Sequence, residues 1–366
     1  MNINQTLLRE FVIKGLVSYK KELRGPFLQD FRQQFASLNP EEVAEAFIDV
    51  TFLGSALTFL QGEQWNLKKD PATSSENYHR FTEQTFASNL LSLNYLQDTL
   101  QNMNEKELRR TAELCEELER LLLSHVQSGN QEHQNRFVAR SLQLMENVFA
   151  HENALSLQGN TQARSLALSL YRTFDGLDQI FGLNYNADVG MKTDVNGTER
   201  LYEGAGLGVQ SSYSTLLTAL REVRASQGIR FIDLGSGYGR VGLVVGVLRP
   251  DIDFIGYEYV KHRVDISNES TAKFGLQDHV HFFTQDLSEK DFRIPDAEVY
   301  YMFDPFSKDT YQHVLSQLVE VSRRQRIVVV TKGNARLWLK EIAEREGWLP
   351  GQEFDCGNLS LFRSRE

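Results

Sequence analysis

From its start to about residue 184 the chain repeats apolar positions at intervals of three and four with only short polar breaks, the period of amphipathic helices. In "LNPEEVAEAFIDVTFLGSALTFLQG", Asn39 is placed to cap, Pro40 suits a first helical position, and Glu41 and Glu42 complement the helix dipole. "MNEKELRRTAELCEELERLLLSHVQSGN" reads the same way: Asn104 caps, Leu108, Leu114, Cys115, Leu118, Leu121 and Leu122 form an apolar stripe, and Gly129 stops the helix. Its charged letters read as a solvated face. Further helical patterns cover 6–23, 76–100, 131–151 and 162–181, with no fixed-period repeat.

Beyond a boundary at about 184–196 the pattern changes to short Val/Ile/Phe/Tyr runs alternating with amphipathic helices. "IRFIDLG", "DFIGYEY", "HVHFFTQD", "AEVYYMFD" and "RIVVVTKG" read as strands, while "GRVGLVVGVLR", "KHRVDISNESTAKFG", "DTYQHVLSQLVEVS" and "NARLWLKEIAEREG" read as helices. Such alternation predicts a doubly wound, mostly parallel sheet. "WLPGQEFDC" and "LSLFRS", separated by Gly357-Asn358, predict a closing antiparallel hairpin. The expected architecture is therefore an all-α domain over 1–184, for substrate recognition or assembly, followed by an α/β domain over 185–366.

Length and composition fit two globular domains: 366 residues, 41% hydrophobic and 24% charged. Thirty-nine Lys+Arg against 49 Asp+Glu leave a net charge of −10, which argues against a general nucleic-acid coat protein. Two cysteines without a CxxC suggest neither a disulfide framework nor a thiolate zinc site, and fit a reducing compartment. Arg9, Glu10 and Lys14 interrupt the first apolar stretch, which spoils a signal-peptide reading, and no apolar run is expected to reach the roughly 20 residues of a membrane span. A cytoplasmic protein without a membrane partner is the expectation.

The candidate chemistry lies in "RFIDLGSGYGRVGLVVGVLRPDIDFIGYEYV". Gly237, Gly239 and Gly242 satisfy GxGxxG, with the acid Glu258 about 20 residues on, as a dinucleotide fingerprint asks. Asp233 changes the reading. An acid at the buried end of a strand needs a cationic or donor partner, and S-adenosylmethionine brings an α-amino group beside a carboxylate that can face a helix N-terminus. Gly235, Gly237 and Gly239 then allow backbone to approach the ligand, with Ser236 and Tyr238 between them. Glu258, followed by Tyr259, is placed for two ribose hydroxyls; Asp286 and the Leu287 N–H are placed for adenine.

These residues resemble those of class I, seven-stranded, Rossmann-like S-adenosylmethionine-dependent methyltransferases. The resemblance runs from about Tyr202 to the C-terminus and rests on Asp233-Leu-Gly-Ser-Gly-Tyr-Gly, Glu258, Asp286, "MFDPFS" and the closing hairpin. It implies that S-adenosyl-L-methionine is the cofactor and that Asp304, Pro305 and Phe306 act on the acceptor. In amine-directed members an Asn/Asp-Pro-Pro-Tyr/Phe turn grips the acceptor nitrogen; this chain has one proline fewer. A more distant similarity, carried by "DLGSGYGRVGL", "GYEYVKHRVDIS" and "LYEGAGLGVQSSY", is to non-SET histone-lysine methyltransferases. Tyr202 and the glycines after it suit a lid over the donor or a linker.

The expected activity is methyl transfer to a nitrogen, on a protein before a small molecule or RNA, with a homo-oligomer formed through the helices as a further expectation. A scaffold that binds the donor without turnover and an NAD-dependent oxidoreductase stay open as alternatives. His279 and His281 alternate on one strand face without a third ligand, so no metal is expected. "SRRQR" at 322–326 reads as solvation at the sheet end opposite the cofactor.

Overall fold

In a computed structural model, residues 21–67, 74–88, 90–157, 166, 170, 172–189, 210–304, 306–354 and 357–364 are described. The chain divides into two compact units between Ile180 and Phe181.

The first unit is helical: α1 (Lys21–Phe35), α2 (Pro40–Leu67), α3 (Ser74–Ser88), α4 (Glu105–Ser128) and α5 (Gln131–Leu157). Both expected caps form. The Asn39 side chain accepts from the Glu42 N–H at 3.0 Å while the Glu42 carboxylate accepts from the Asn39 N–H at 2.9 Å, and Asn104 and Glu107 make the same reciprocal pair. The pattern over 76–100 breaks sooner than expected: α3 gives way to a 3-10 turn, Leu91–Leu96, before a last helical turn. The expected helix over 6–23 falls almost wholly outside the described residues, and so does much of that over 162–181, whose described end is a 3-10 turn, Asp175–Leu177, and a short helix, Asp178–Phe181. Contrary to expectation, α2 is long and apolar enough, by length and composition, to cross a membrane. Most of it is instead buried against α4 and α5, with Phe47 set against Phe137 and Phe174 at ring distances of 5.5 and 6.1 Å.

The second unit is the α/β sandwich. Helix α6 (Tyr213–Val223) precedes β1 (Arg230–Leu234), α7 (Arg240–Leu248), β2 (Asp253–Glu258), α8 (Lys261–Phe274), β3 (Val280–Thr284), β4 (Val299–Phe303), α9 (Lys308–Ser322), β5 (Val328–Lys332), α10 (Ala335–Glu346), β6 (Gln352–Phe354) and β7 (Leu359–Arg363). The seven strands run β3-β2-β1-β4-β5-β7-β6, parallel from β3 through β5 and antiparallel at β7 and β6. The hairpin thus inserts its second strand beside β5 and leaves β6 at the edge. Parallel strands covered on both faces must be apolar throughout, which is why Ile232, Tyr300, Val329 and Phe362 join α9 and α10 in one buried cluster. The order reverses direction between β1 and β4, so a crevice for ligands is expected at the carboxyl ends of these strands.

Candidate active site at the carboxyl end of the sheet

Asp233 stands near the carboxyl end of the central strand, in register with Gly256 of β2 and Tyr301 of β4. It is 1% exposed, and its Oδ2 has no hydrogen-bond partner among the described residues. Burial, and secondarily the charge of Glu258, push its carboxyl well above the usual carboxylate range. The following residue but two, Ser236, adds a second buried oxygen without a partner among the described residues.

The chain then doubles back over β2. The Gly235 and Ser236 N–H groups both donate to the Tyr257 carbonyl, at 2.9 and 2.8 Å, while Gly235, Gly237 and Gly239 take φ of 92°, 55° and 80°. Only residues without a Cβ adopt three such values in five positions cheaply. A Cβ on Gly239 would also lie 2.7 Å from Ser267 Oγ and 2.8 Å from the Phe282 ring, so this glycine lets the start of α7 sit directly on α8 and β3.

Glu258, at the tip of β2, ties the loop in place. Its Oε2 accepts from the Gly237 N–H at 2.8 Å and its Oε1 from the Val260 N–H at 3.0 Å, with Arg263 Nη1 3.6 Å away. Arg263 in turn donates through Nε and Nη2 to Asp188, at 3.2 and 2.9 Å, and His262 Nε2 lies 2.8 Å from the same carboxylate. Burial alone would raise the Asp188 carboxyl, but the hydrogen bonds from Arg263 and His262 outweigh it and hold the group below its usual range. Tyr238 points into this cluster. It is fully buried, edge-on to Tyr185 at 4.8 Å with the Arg263 guanidinium 5.6 Å above its ring, so its side chain supports the loop from within. Tyr259 is 39% exposed beside Glu258.

Asp286 follows β3 and closes its own turn: Oδ1 accepts from the Ser288 N–H at 2.8 Å and the Ser288 hydroxyl at 2.6 Å. Leu287 is buried in the sheet core. Asp304, just past β4, has a φ of 43°, and only Arg224 shares a positive φ among the described non-glycine residues. Asn334 Nδ2 donates to its Oδ2 at 3.0 Å, and the Tyr311 hydroxyl reaches Oδ1 at 3.3 Å. Gly333 is required there, because a Cβ would meet Asp304 Cγ at 2.8 Å. Phe306 follows in the same turn. It is fully buried, edge-on to Tyr311 at 5.1 Å. Pro305 and Tyr202 lie outside the described residues.

Sequence reasoning passed over Arg240, the first residue of α7. It is fully buried, donates from Nη1 to the Ser211 carbonyl at 2.9 Å, reaches the Tyr185 hydroxyl at 3.4 Å, and lies 4.8 Å over the Tyr213 ring. It pins the segment entering α6 to the glycine loop, where Gln210 also packs: a Cβ on Gly237 would meet its amide nitrogen at 3.0 Å. An arginine inside "SGYGRVGL" was the available signal, since an apolar helix has no need of a charge at that position.

The second unit has a doubly wound, Rossmann-like fold: a seven-stranded sheet with an antiparallel β7, a glycine loop after β1, and acids at the ends of β1 and β2 and just past β3 and β4. No protein-family model matches the chain, and no curated protein matches it in sequence. Among solved structures it is similar to TrmN from Thermus thermophilus (18% identity over 41% of this chain and 47% of that one, TM-score 0.33). It is similar also to precorrin-6y C5,15-methyltransferase from Geobacter metallireducens (16% identity, 42% and 88%, TM-score 0.34). An RNA methyltransferase from Salinibacter ruber in complex with S-adenosyl-L-homocysteine is a third (19% identity, 42% and 92%, TM-score 0.33). The chain spans about half the length of TrmN.

Proposed function

We propose that the chain is an S-adenosylmethionine-dependent methyltransferase whose acceptor is a nitrogen on a protein, with the helical unit serving recognition of that protein or assembly. The observation that carries the reading is the buried Asp233 carboxyl with its unpartnered oxygen beside a bare-backbone loop. A carboxyl in that position costs free energy until a cationic donor meets it, and an α-ammonium is such a donor. A second buried oxygen, on Ser236, and the three left-handed glycines make the same loop a cradle. The residues therefore fit the donor.

In this reading Asp233 takes the ammonium and the start of α7 faces the carboxylate. Glu258 already accepts two N–H groups, and a carboxylate has about four acceptor sites, so ribose hydroxyls complete its shell. Asp286 and Leu287 face the adenine. Bound there, the donor supplies a methyl on a sulfonium, a good leaving group, so the protein's contribution is orientation and exclusion of water, worth ~7–11 kcal/mol in favourable cases. Asp304, held in a strained conformation by Asn334 and Gly333, accepts a hydrogen bond from the incoming N–H and keeps the nitrogen lone pair free for attack.

Calorimetric titration of the full chain with S-adenosylmethionine and with NAD separates the donor reading from its rival. Saturable heat with the first only is expected; heat with NAD alone would overturn the reading. Radiolabelled donor in a cell extract then tests the acceptor. Label in protein that survives ribonuclease and is lost in Asp304→Ala is expected, whereas label confined to RNA or to small solutes would remove the protein acceptor and leave the methyltransferase reading standing.

A further inference from the structure

Arg263, in the first turn of α8, stands between two buried carboxylates and serves them unequally. Asp188 accepts from its Nε at 3.2 Å and from its Nη2 at 2.9 Å. Glu258 accepts nothing from it: Nη1 lies 3.6 Å from Oε1, inside ion-pair range and outside that of a hydrogen bond. The side chains of Arg263 and Glu258 are each 7% exposed and that of Asp188 1%, so the pairing is made away from water.

The difference matters for Glu258. Each carboxylate oxygen offers about two acceptor positions, and backbone takes one on each, the Gly237 N–H on Oε2 and the Val260 N–H on Oε1. One position per oxygen is left. A guanidinium shift of under ~1 Å would bring Nη1 into a charge-assisted bond at about 2.9 Å and fill the position on Oε1. Asp188 opposes that shift. It takes the other two guanidinium nitrogens and is itself fixed by His262 Nε2, 2.8 Å from its Oδ1. The tether comes from far back in the chain, since Asp188 ends the 3-10 turn Tyr185–Asp188, 75 residues before Arg263. Burial would lower the Arg263 guanidinium, but the charge of Glu258 and the hydrogen bonds to Asp188 outweigh it and hold the group above its ordinary range. An arginine buried to this degree does not stay unpaired, so one released by Asp188 turns to Glu258.

We propose that Asp188 is a positioning residue for the donor site: it holds Arg263 off Glu258 and so keeps one acceptor on each Glu258 oxygen open for the two ribose hydroxyls of S-adenosylmethionine. The inference rests on the donor reading of this crevice. It assigns Asp188 no contact with the ligand, and it predicts a sign that support of the fold alone would not give. Removing the Asp188 charge should weaken donor binding, and removing Arg263 as well should restore it, because the group that closes Glu258 is then gone.

S-adenosyl-L-homocysteine is a suitable probe for calorimetry with the full chain, since it carries the same ribose without a net charge and a change of local field alone should move it little. The parent chain is expected to bind it, and Asp188→Asn to bind it about tenfold more weakly or worse. Asp188→Asn combined with Arg263→Gln should regain affinity to within about threefold of the parent chain. The paired variant removes two buried charges together, which disturbs a fold less than removing one, and it decides the matter if Asp188→Asn does not fold. A crystal structure of Asp188→Asn without ligand should show Nη1 at hydrogen-bond distance from Glu258 Oε1. Undiminished binding by Asp188→Asn, a paired variant that does not regain affinity, or Nη1 no nearer to Oε1 than in the parent chain would overturn the inference and leave the donor reading in place. No binding by the parent chain would overturn both.

Discussion

At the scale of single residues the chemistry turns on one proton. Asp233 has a carboxyl pushed far above its usual range by burial, so without a cation beside it the group holds its proton to higher pH than an exposed acid does. An ammonium arriving at Oδ2 reverses that balance and favours the carboxylate. The sign follows: binding releases a proton, and donor affinity rises with pH between the carboxyl's lower value with the donor bound and its higher value without it. Calorimetry in two buffers of different ionisation enthalpy should register the released proton. In Asp233→Asn the release should vanish and affinity fall by about tenfold or more, the loss of one charge-assisted hydrogen bond at ~1.5–3 kcal/mol. Proton release that persists in Asp233→Asn would assign the titration to another group.

Local structure explains which of these positions could be read along the chain. Asp233, the three glycines and Glu258 are contiguous signals, because a β-strand, a tight turn and a helix start impose fixed spacing, and the structure sets them where that spacing requires. Tyr238 and Phe306 could not be read in the same way. An aromatic beside a glycine loop or an acid looks alike on paper whether it faces a ligand or the core, and both are core residues here, packed edge-on against Tyr185, far back in the sequence, and Tyr311, in the first turn of α9. The clasp on Asp304 was invisible for a related reason: Gly333 and Asn334 lie just past β5, and only strand order brings them to the end of β4. That clasp is open to test. Gly333→Ala places a Cβ within 2.8 Å of Asp304 Cγ at a backbone φ of 88°, so it should displace the carboxylate and cost the chain about 1–3 kcal/mol in denaturant unfolding. Asn334→Ala removes only the side-chain donor. It should leave stability within about 1 kcal/mol of the parent chain while lowering methyl transfer, a split that a purely structural clasp would not give.

At the scale of the whole molecule, the two units answer pH through different acids. In the helical unit, burial raises the Asp49 carboxyl to about 7, with the charge of Glu45 adding to it, and burial raises Glu119 to about 7 as well. Tyr95 lies within electrostatic reach of Asp49, and Glu45 itself is paired with Arg140 at 2.7 Å, which moderates but does not cancel its effect. For a carboxyl whose folded value is above its unfolded one, the folded chain binds the extra proton. Stability is then greatest below the unfolded value near 4 and declines as pH rises to about 7, above which the full loss is reached. Asp49→Asn removes the charge and keeps the shape. It should stabilise the chain at pH 8 by on the order of 2–4 kcal/mol and change little near pH 3, where the native acid is mostly protonated in either state. Thermal unfolding at the two pH values decides the matter, provided the helical unit's transition is followed by itself, since two units need not melt together. A gain of equal size at both pH values would point to packing, and a loss at pH 8 would mean that Asp49 is ionised and paired in the folded chain.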